Sequence, residues 1–484
     1  MTGGAGTSGG RGGTAGRGGT GSSGKGATAG AGPSAGRGGT AAGESGAGGD
    51  PGDASAGDTS MNAGTSSGGA SDGGAGNTVS SDVHGRIIDF WGHPLSGAPV
   101  AIGGGRVVTD SNGAFVIPDV AAEYDVSFIV TWANPVSKYG WVYQGLTRRD
   151  PTLQVLRAFT SHAVSIEVHP VSASAPFASD DRCLLGYGSP NGQANATLGS
   201  SGVVTGPTWE GPASNDWTLH ALYVVRTSAL PTSYRAYATR DIPVTDGDGT
   251  QLPTAIDLAD QSLDTGTVSG SVTFNTGVNA TNSVFVRFTS GAELPVVNKV
   301  DTGTGTPDYS YLVPSLPNAT ITVATAETQN SGAYAVVHHD GLAPGATGVE
   351  LTVPAPTTLS MPLDGTLGVD DGTTFSFSGG NPSAHAYLVH VEDQDFYDGL
   401  FIVTAKKQFT LGDLPIVNGE FTLTKGQAHQ WWVETHGTPA SVDAMAAPGG
   451  FADDFALGGG YPAGPVRGSG TLTYSSRFAF ETAP

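Results

Sequence analysis

The side chains in this sequence best suited to recognising a ligand are aromatic, and two groups have the spacing for it. Tyr139, Trp141 and Tyr143 recur at every second position, which sets all three rings on one face of a β-strand. Such a row can form a flat stacking platform. The competing reading, favoured because aromatics mostly serve burial, is that this face is core and Val142 is left outside. Trp431 and Trp432 are adjacent. A strand through them turns one ring inward and the other outward or beneath a loop, and the Gly-rich stretch 448–470 is long enough to be that cover.

Carboxylates supply the second candidate. Glu392, Asp393, Asp395 and Asp398 lie close together just ahead of Gly399. Clustered oxygens on a loop are what Ca2+ takes, although the twelve-residue spacing of the helix-loop-helix calcium motif is missing. A solvated acidic loop is the plainer reading, and Ca2+ is the one cofactor the sequence suggests. Asp246-Gly247-Asp248-Gly249 reads as a turn. The eleven His are scattered, and no HExxH occurs. His338, His339 and Asp340 form the densest trio, yet neighbouring strand residues face opposite ways, so both imidazoles cannot readily share one metal. His385 and His390 also have opposite parity. No carboxylate pair can be given acid and base roles without knowing which face each occupies, so no catalytic residue is assigned. Cys183 is the single cysteine, which excludes an intrachain disulfide framework and a cysteine metal site and suggests a buried, inert thiol.

These residues must be positioned by β-strands. Short runs with period 2 recur from Val79 onward, separated by Gly, Pro, Asn and Asp, while helical periodicity is hard to find. Tyr124, Val126, Phe128 and Val130 form one face of such a run, although Ile129 breaks the alternation on the other. Phe375–Phe377, Tyr387–Val391 and Phe421–Leu423 behave similarly. The first 78 residues differ. They contain no Val, Leu, Ile, Phe, Trp or Tyr, and 30 of the first 80 residues are Gly. Such a segment has nothing to bury against the entropy of folding. The unit GRGGT repeats at 10–14, 16–20 and 36–40 without the strict period of collagen. The expected fold class is therefore all-β: a disordered Gly/Ser/Thr/Ala-rich tether over 1–78, spanning roughly 50 Å, followed by tandem β-sandwich modules.

Charge narrows the partners. The 404 residues after Ser80 carry 38 Asp and Glu against 17 Lys and Arg. That balance argues against nucleic acid and anionic membranes, which need clustered Lys and Arg. No apolar stretch is long enough for a transmembrane helix, and the chain does not open with the basic and apolar regions of a signal peptide.

An internal repeat organises the folded part. Phe115, Ile117, Pro118 and Val120 have counterparts in Tyr311, Val313, Pro314 and Leu316, 196 residues on. The same offset takes Gly145 and Leu146 to Gly341 and Leu342, and Leu153 and Val155 to Val349 and Leu351. A weaker copy sets Trp217, Leu219 and Leu222 against Phe115, Ile117 and Val120. Three related modules are expected at 79–160, 161–265 and 266–362, with a different one at 363–484.

The first module carries Val83-His84-Gly85-Arg86-Ile87-Ile88-Asp89, Gly92-His93-Pro94-Leu95-Ser96-Gly97-Ala98-Pro99-Val100 and Thr109-Asp110-Ser111-Asn112-Gly113-Ala114-Phe115. This pattern resembles the carboxypeptidase regulatory-like (transthyretin-like) β-sandwich domain, except that Glu123 stands where that family often has Gly. The strand spacing of the last module resembles a fibronectin type III or immunoglobulin-like sandwich. The first resemblance implies a non-catalytic accessory domain of secreted and surface proteins. The tether is similar to spacers of bacterial surface lipoproteins, although the anchoring Cys of those proteins is absent from it. The layout points to a non-catalytic, extracellular or cell-surface display protein with an adhesion, scaffold or accessory role and a glycan or surface-protein partner. A carbohydrate-binding accessory protein is the alternative, and a polysaccharide-degrading enzyme ranks lowest for want of a site. Brief proteolysis should remove the first 78 residues and leave a folded core starting near Val79; strong amide-exchange protection before residue 75 would contradict this.

Overall fold

The computed structural model describes residues 80–450 and 469–484, apart from 90–91, 134–135, 156–160, 164–165, 173–180, 190–191, 199–207, 211–212, 229, 246–251, 259–260, 277–278, 302–304, 394–397, 416–422 and 438. The tether expected over 1–78 lies outside them, as do Asp395, the Asp246–Gly249 turn and most of the 448–470 stretch. The described residues are almost entirely β, and no helix among them is long and apolar enough to cross a membrane.

The first module has seven strands: β1 (Ser81–Ile88), β2 (Pro99–Ile102), β3 (Gly105–Val108), β4 (Ala114–Val120), β5 (Tyr124–Ala133), β6 (Val136–Leu146) and β7 (Thr152–Gln154). They form two layers, β4-β1-β7 and β3-β2-β5-β6. Local chemistry sets the turns. Asp110 closes the one before β4 by accepting the Asn112 and Ala114 amides at 2.8 and 2.9 Å, an Asx turn that suits Asp and Asn here. The chain then enters β4 with Phe115 and Ile117 directed into the core between the layers.

The same order recurs in the third module. Its strands are β8 (Thr265–Thr273), β9 (Ala280–Phe288), β10 (Glu293–Asp301), β11 (Asp308–Pro314), β12 (Ala319–Thr328), β13 (Tyr334–Leu342) and β14 (Val349–Thr352). Sheet β11-β8-β14 matches β4-β1-β7, and β10-β9-β12-β13 matches β3-β2-β5-β6. In both, the first strand pairs antiparallel with the fourth and parallel with the seventh. Phe115 and Tyr311 are both buried at core positions, and Gly145 and Gly341 take φ of 73° and 71° near the ends of β6 and β13.

The second segment does not follow this plan. Its main sheet runs Gly192–Leu198, Arg182–Ser189, Ser214–Thr227 and Leu230–Thr245. Trp217 and Leu219 enter one core while Leu222 enters another on the opposite face, because Ser214–Thr227 is one long strand. The corresponding residues in β4 (Phe115, Ile117 and Val120) all reach a single core. Cys183 is buried and unbridged, and burial pushes its thiol up to about 12.

Hydrogen bonding crosses the sequence boundaries. The last segment contributes β15 (Tyr387–Asp393), β16 (Asp398–Thr404), β17 (Ala428–His436), β18 (Gly470–Tyr474) and β19 (Phe478–Thr482). The path β10-β9-β12-β13-β18-β17-β15-β16-β6-β5-β2-β3 belongs to a single 14-stranded sheet. β16 lies parallel to β6 from Asp398 opposite Lys138 to Val403 opposite Tyr143, and β18 joins β13 antiparallel. The first and last segments therefore share cores. Ala386, Leu388, Phe401, Val403, Val442 and Met445 pack into the first module, and Ala101, Ile129 and Val142 pack into the last.

A matched cost is expected at the repeated glycines. Gly145→Ala and Gly341→Ala should each lower stability by about 1–2 kcal/mol through the left-handed backbone. Gly113→Ala should cost more, because its methyl would also meet the Ile87 carbonyl oxygen at 2.4 Å. Thermal unfolding of the three variants checks the ranking.

Candidate functional site

The structure places all five aromatic candidates inside the protein. Tyr139, Trp141, Tyr143, Trp431 and Trp432 are each no more than 2% exposed. The first three share a face of β6, as their spacing requires, but that face is core and Val142 on the other is buried too. A strand bonded on both sides and covered on both faces has no outside. Trp431 and Trp432 do point to opposite faces: Trp431 packs edge-on to Phe375 at 5.3 Å, while Trp432 lies on the other side of the sheet. Neither ring is exposed, so the outward alternative is excluded, while most of the stretch 448–470 expected as a cover lies outside the described residues. The stacking platform is corrected in the same way.

These rings instead form part of a row running across five strands. Register sets Phe128 opposite Trp141, Trp141 opposite Phe401, Phe401 opposite His390 and His390 opposite Trp432. Trp141 stacks on Phe401 with centroids 4.4 Å apart and planes within 9°. The His390 ring meets Phe401 edge-on at 5.0 Å and stacks on Trp432 at 4.4 Å. The Arg477 guanidinium closes the row 4.4 Å above Trp432, a cation–π contact. The row begins in the first module and ends in the last.

Beside it lies a cluster of buried ionisable groups. His390 Nε2 is 3.0 Å from Glu434 Oε2, and His436 Nε2 is 3.0 Å from Glu434 Oε1. His390 Nδ1 faces Glu392 Oε1 at 3.8 Å. All four side chains are essentially inaccessible. Burial alone favours a neutral imidazole, but the Glu392 and Glu434 carboxylates reverse that and raise the His390 pKa. Burial likewise opposes the Glu434 carboxylate, yet His390 and His436 hold it down to about 2. Removing one partner from such a pair strands the other charge in the interior.

The acidic candidates do not assemble. Glu392 lies in β15, not in a loop, and its side chain is buried beside His390. Asp393 is the next residue along the strand and faces the other way. Asp398 accepts the Lys138 amide at 2.8 Å across the β6–β16 pairing. Among the described residues no group of three or more His, Cys, Asp or Glu is arranged to hold a metal ion, and none of these carboxylates is assigned as a ligand. The His338–Asp340 trio is divided as its parity requires, with His338 buried, His339 exposed and Asp340 paired with Arg287 at 2.8 Å.

Two features escaped the sequence reading. His220 Nε2 is 2.9 Å from Ser290 Oγ and its Nδ1 is 3.0 Å from Tyr237 Oη. This has the outline of a nucleophile–base pair. Burial lowers the imidazole to about 4, however, and it stacks on Phe288 at 3.8 Å. The pair is best understood as a polar tie between the second and third segments. The other is an open cleft of about 690 Å3 lined by Gly103, Asp119, Glu123, Asp125, Lys406 and Pro415, among others. Neither has a sequence signature, because both join residues from separate modules.

No protein family matches the chain, and no curated protein matches it. Among solved structures, the Bacillus anthracis TIE protein is 9% identical with a TM-score of 0.16. That match covers 57% of this chain and 50% of the other, about half its length. The major pilin subunit BcpA of Bacillus cereus is 10% identical with a TM-score of 0.12, covering 56% of this chain and 98% of that one. The full-length major pilin SpaD of Corynebacterium diphtheriae is 10% identical, also at 0.12, covering 58% and 98%. Likenesses this distant carry no argument about activity.

Trp431→Ala and Trp432→Ala should both be destabilising, by about 3–5 kcal/mol each, as measured by thermal or denaturant unfolding. An outward-facing ring would instead leave one of the two near neutral.

Proposed function

We propose that the chain is a non-catalytic, extracellular, surface-displayed scaffold or adhesion protein whose folded modules act as one mechanical unit. One observation carries this reading: the aromatic side chains best suited to grip a ligand are buried, and two of them, Tyr139 and Trp141, meet Phe401 of the last segment. Trp141 of the first module stacks on Phe401 of the last, beside a parallel strand pairing. Asp443 reinforces the contact by accepting the Thr147 and Arg148 amides at 2.8 and 3.1 Å. These hydrogen bonds offset the burial of its carboxyl and hold it below the usual range. The finer assignment also belongs to this proposal. The Asp110–Gly113 turn and the two-layer strand order support a carboxypeptidase regulatory-like type for the first and third modules, and the last segment is assigned to the fibronectin type III or immunoglobulin-like group.

A second reading, a carbohydrate-binding accessory protein, rests on the cleft. Its volume lies in the range of small-molecule sites, and Asp119, Glu123 and Lys406 offer acceptors and donors to hydroxyl groups.

Calorimetry and a glycan array on residues 79–484 separate the two readings. The scaffold reading expects no glycan binding and one dominant unfolding transition that shifts down in Trp141→Ala. Glycan binding abolished by Lys406→Ala with unchanged unfolding would favour the cleft. Four independent transitions would sink the single-unit reading.

A further inference from the structure

The buried cluster beside the aromatic row is unexplained by a scaffold role alone. Four ionisable groups are held in the interior, where taking charges out of water is costly and hydrophobic residues of similar size are often as stable or more so. Their placement is specific. His390 lies between Glu392 of its own strand and Glu434 of β17, and its ring touches Phe401 and Trp432. Phe401 in turn stacks on Trp141 of the first module. The imidazole thus links a charge network to the ring contact that joins the two ends of the folded chain.

We propose that the His390–Glu392–Glu434–His436 cluster is a pH-operated lock on the contact between the first and last modules, closed in mildly acidic solution and loosened as the medium becomes alkaline. The other groups facing His390 define the lock. On β17 these are Glu434 and His436, with Trp432 between His390 and Arg477. On β16 the residues at neighbouring register positions are Gly399, Phe401 and Val403, none ionisable. On β6 Tyr139 and Tyr143 lie on the same face, and on β18 Tyr474 stands opposite Glu434. The Arg477 guanidinium is engaged with the Trp432 ring.

His390 is raised in the folded protein relative to its ordinary 6.5. Its contribution is therefore complete below about pH 6.5 and is lost as pH rises through the folded value. Glu434 is depressed from 4.5 to about 2, so its contribution is complete above about pH 4.5 and is lost as pH falls toward 2. The lock is tightest between these limits. Above them a neutral His390 leaves the Glu434 carboxylate with diminished compensation, and solvating it requires β15 and β17 to yield.

The test compares the protein with His390→Gln, which retains a hydrogen-bonding amide but cannot titrate. In the wild type, Tm should fall by about 1–3 °C per pH unit above pH 6.5, and the β6 and β16 amides should exchange faster than pH alone dictates. The net charge of −22 adds a general alkaline loss, so the quantity read is the difference between the two proteins. His390→Gln should have a lower Tm at pH 5.5 and a shallower slope between pH 6.5 and 9. Parallel slopes would overturn the proposal. If the variant does not fold, the NMR titration of the His390 ring in the wild-type protein decides. Titration above 6.5 with coincident loss of β6–β16 protection supports the lock, and titration below 6.5 or unchanged protection refutes it.

Discussion

The parallel pairing of β6 with β16 is the contact on which the rest of the folded chain depends. It joins Lys138 to Asp398 across 260 residues of sequence and turns what would be the edge of the first module into the interior of a larger sheet. β6 is then bonded on both sides, and both its faces are covered. Tyr139, Trp141 and Tyr143 meet the core of the first module, while Val142 meets that of the last. Extending a sheet satisfies backbone donors and acceptors that an edge leaves open, and the side chains then decide which extension is accepted.

The junctions are not purely apolar. Between the first and last segments lie the Asp443 contacts and the His–Glu cluster. Between the second and third lie the His220–Ser290 hydrogen bond, the Tyr234 hydroxyl donating to the Leu312 carbonyl at 2.8 Å, and Arg226 donating to the Val296 carbonyl at 3.2 Å. A buried polar group is costly unless its partner is present. Such ties add less to stability than to register, because a slipped interface would leave them unpaired. Apolar contacts supply most of the attraction, and the polar ones select a single arrangement.

Much of the local structure is legible in residue types. Asp110, Asn112 and Gly113 announce the turn before β4. The 196-residue offset places Phe115 and Tyr311 at corresponding core positions and Gly145 and Gly341 at matching left-handed turns. The parity of Trp431 and Trp432 assigns them to opposite faces, and the parity of His338 and His339 separates those rings. One internal sign of a doubly covered sheet is Ile129. It spoils the alternation of β5, and it packs with Val142 and Ala101 against the last segment. The weaker likeness at Trp217 failed because three apolar spacings do not reveal whether a strand is short and bent or long and straight.

The sequence by itself determined an all-β chain, the repeated module, the turn positions and the relative orientation of neighbouring side chains, since backbone geometry makes strand parity a local property. Only the tertiary structure decided which faces are exposed. Burial depends on what covers a face, and here the cover comes from segments hundreds of residues away. For the same reason Glu392 reads as an acidic loop residue in sequence yet belongs to a buried charge network in space. Its partners, His390, Glu434 and His436, come together only when β15 and β17 pair, and spacing along the chain carries no trace of that pairing.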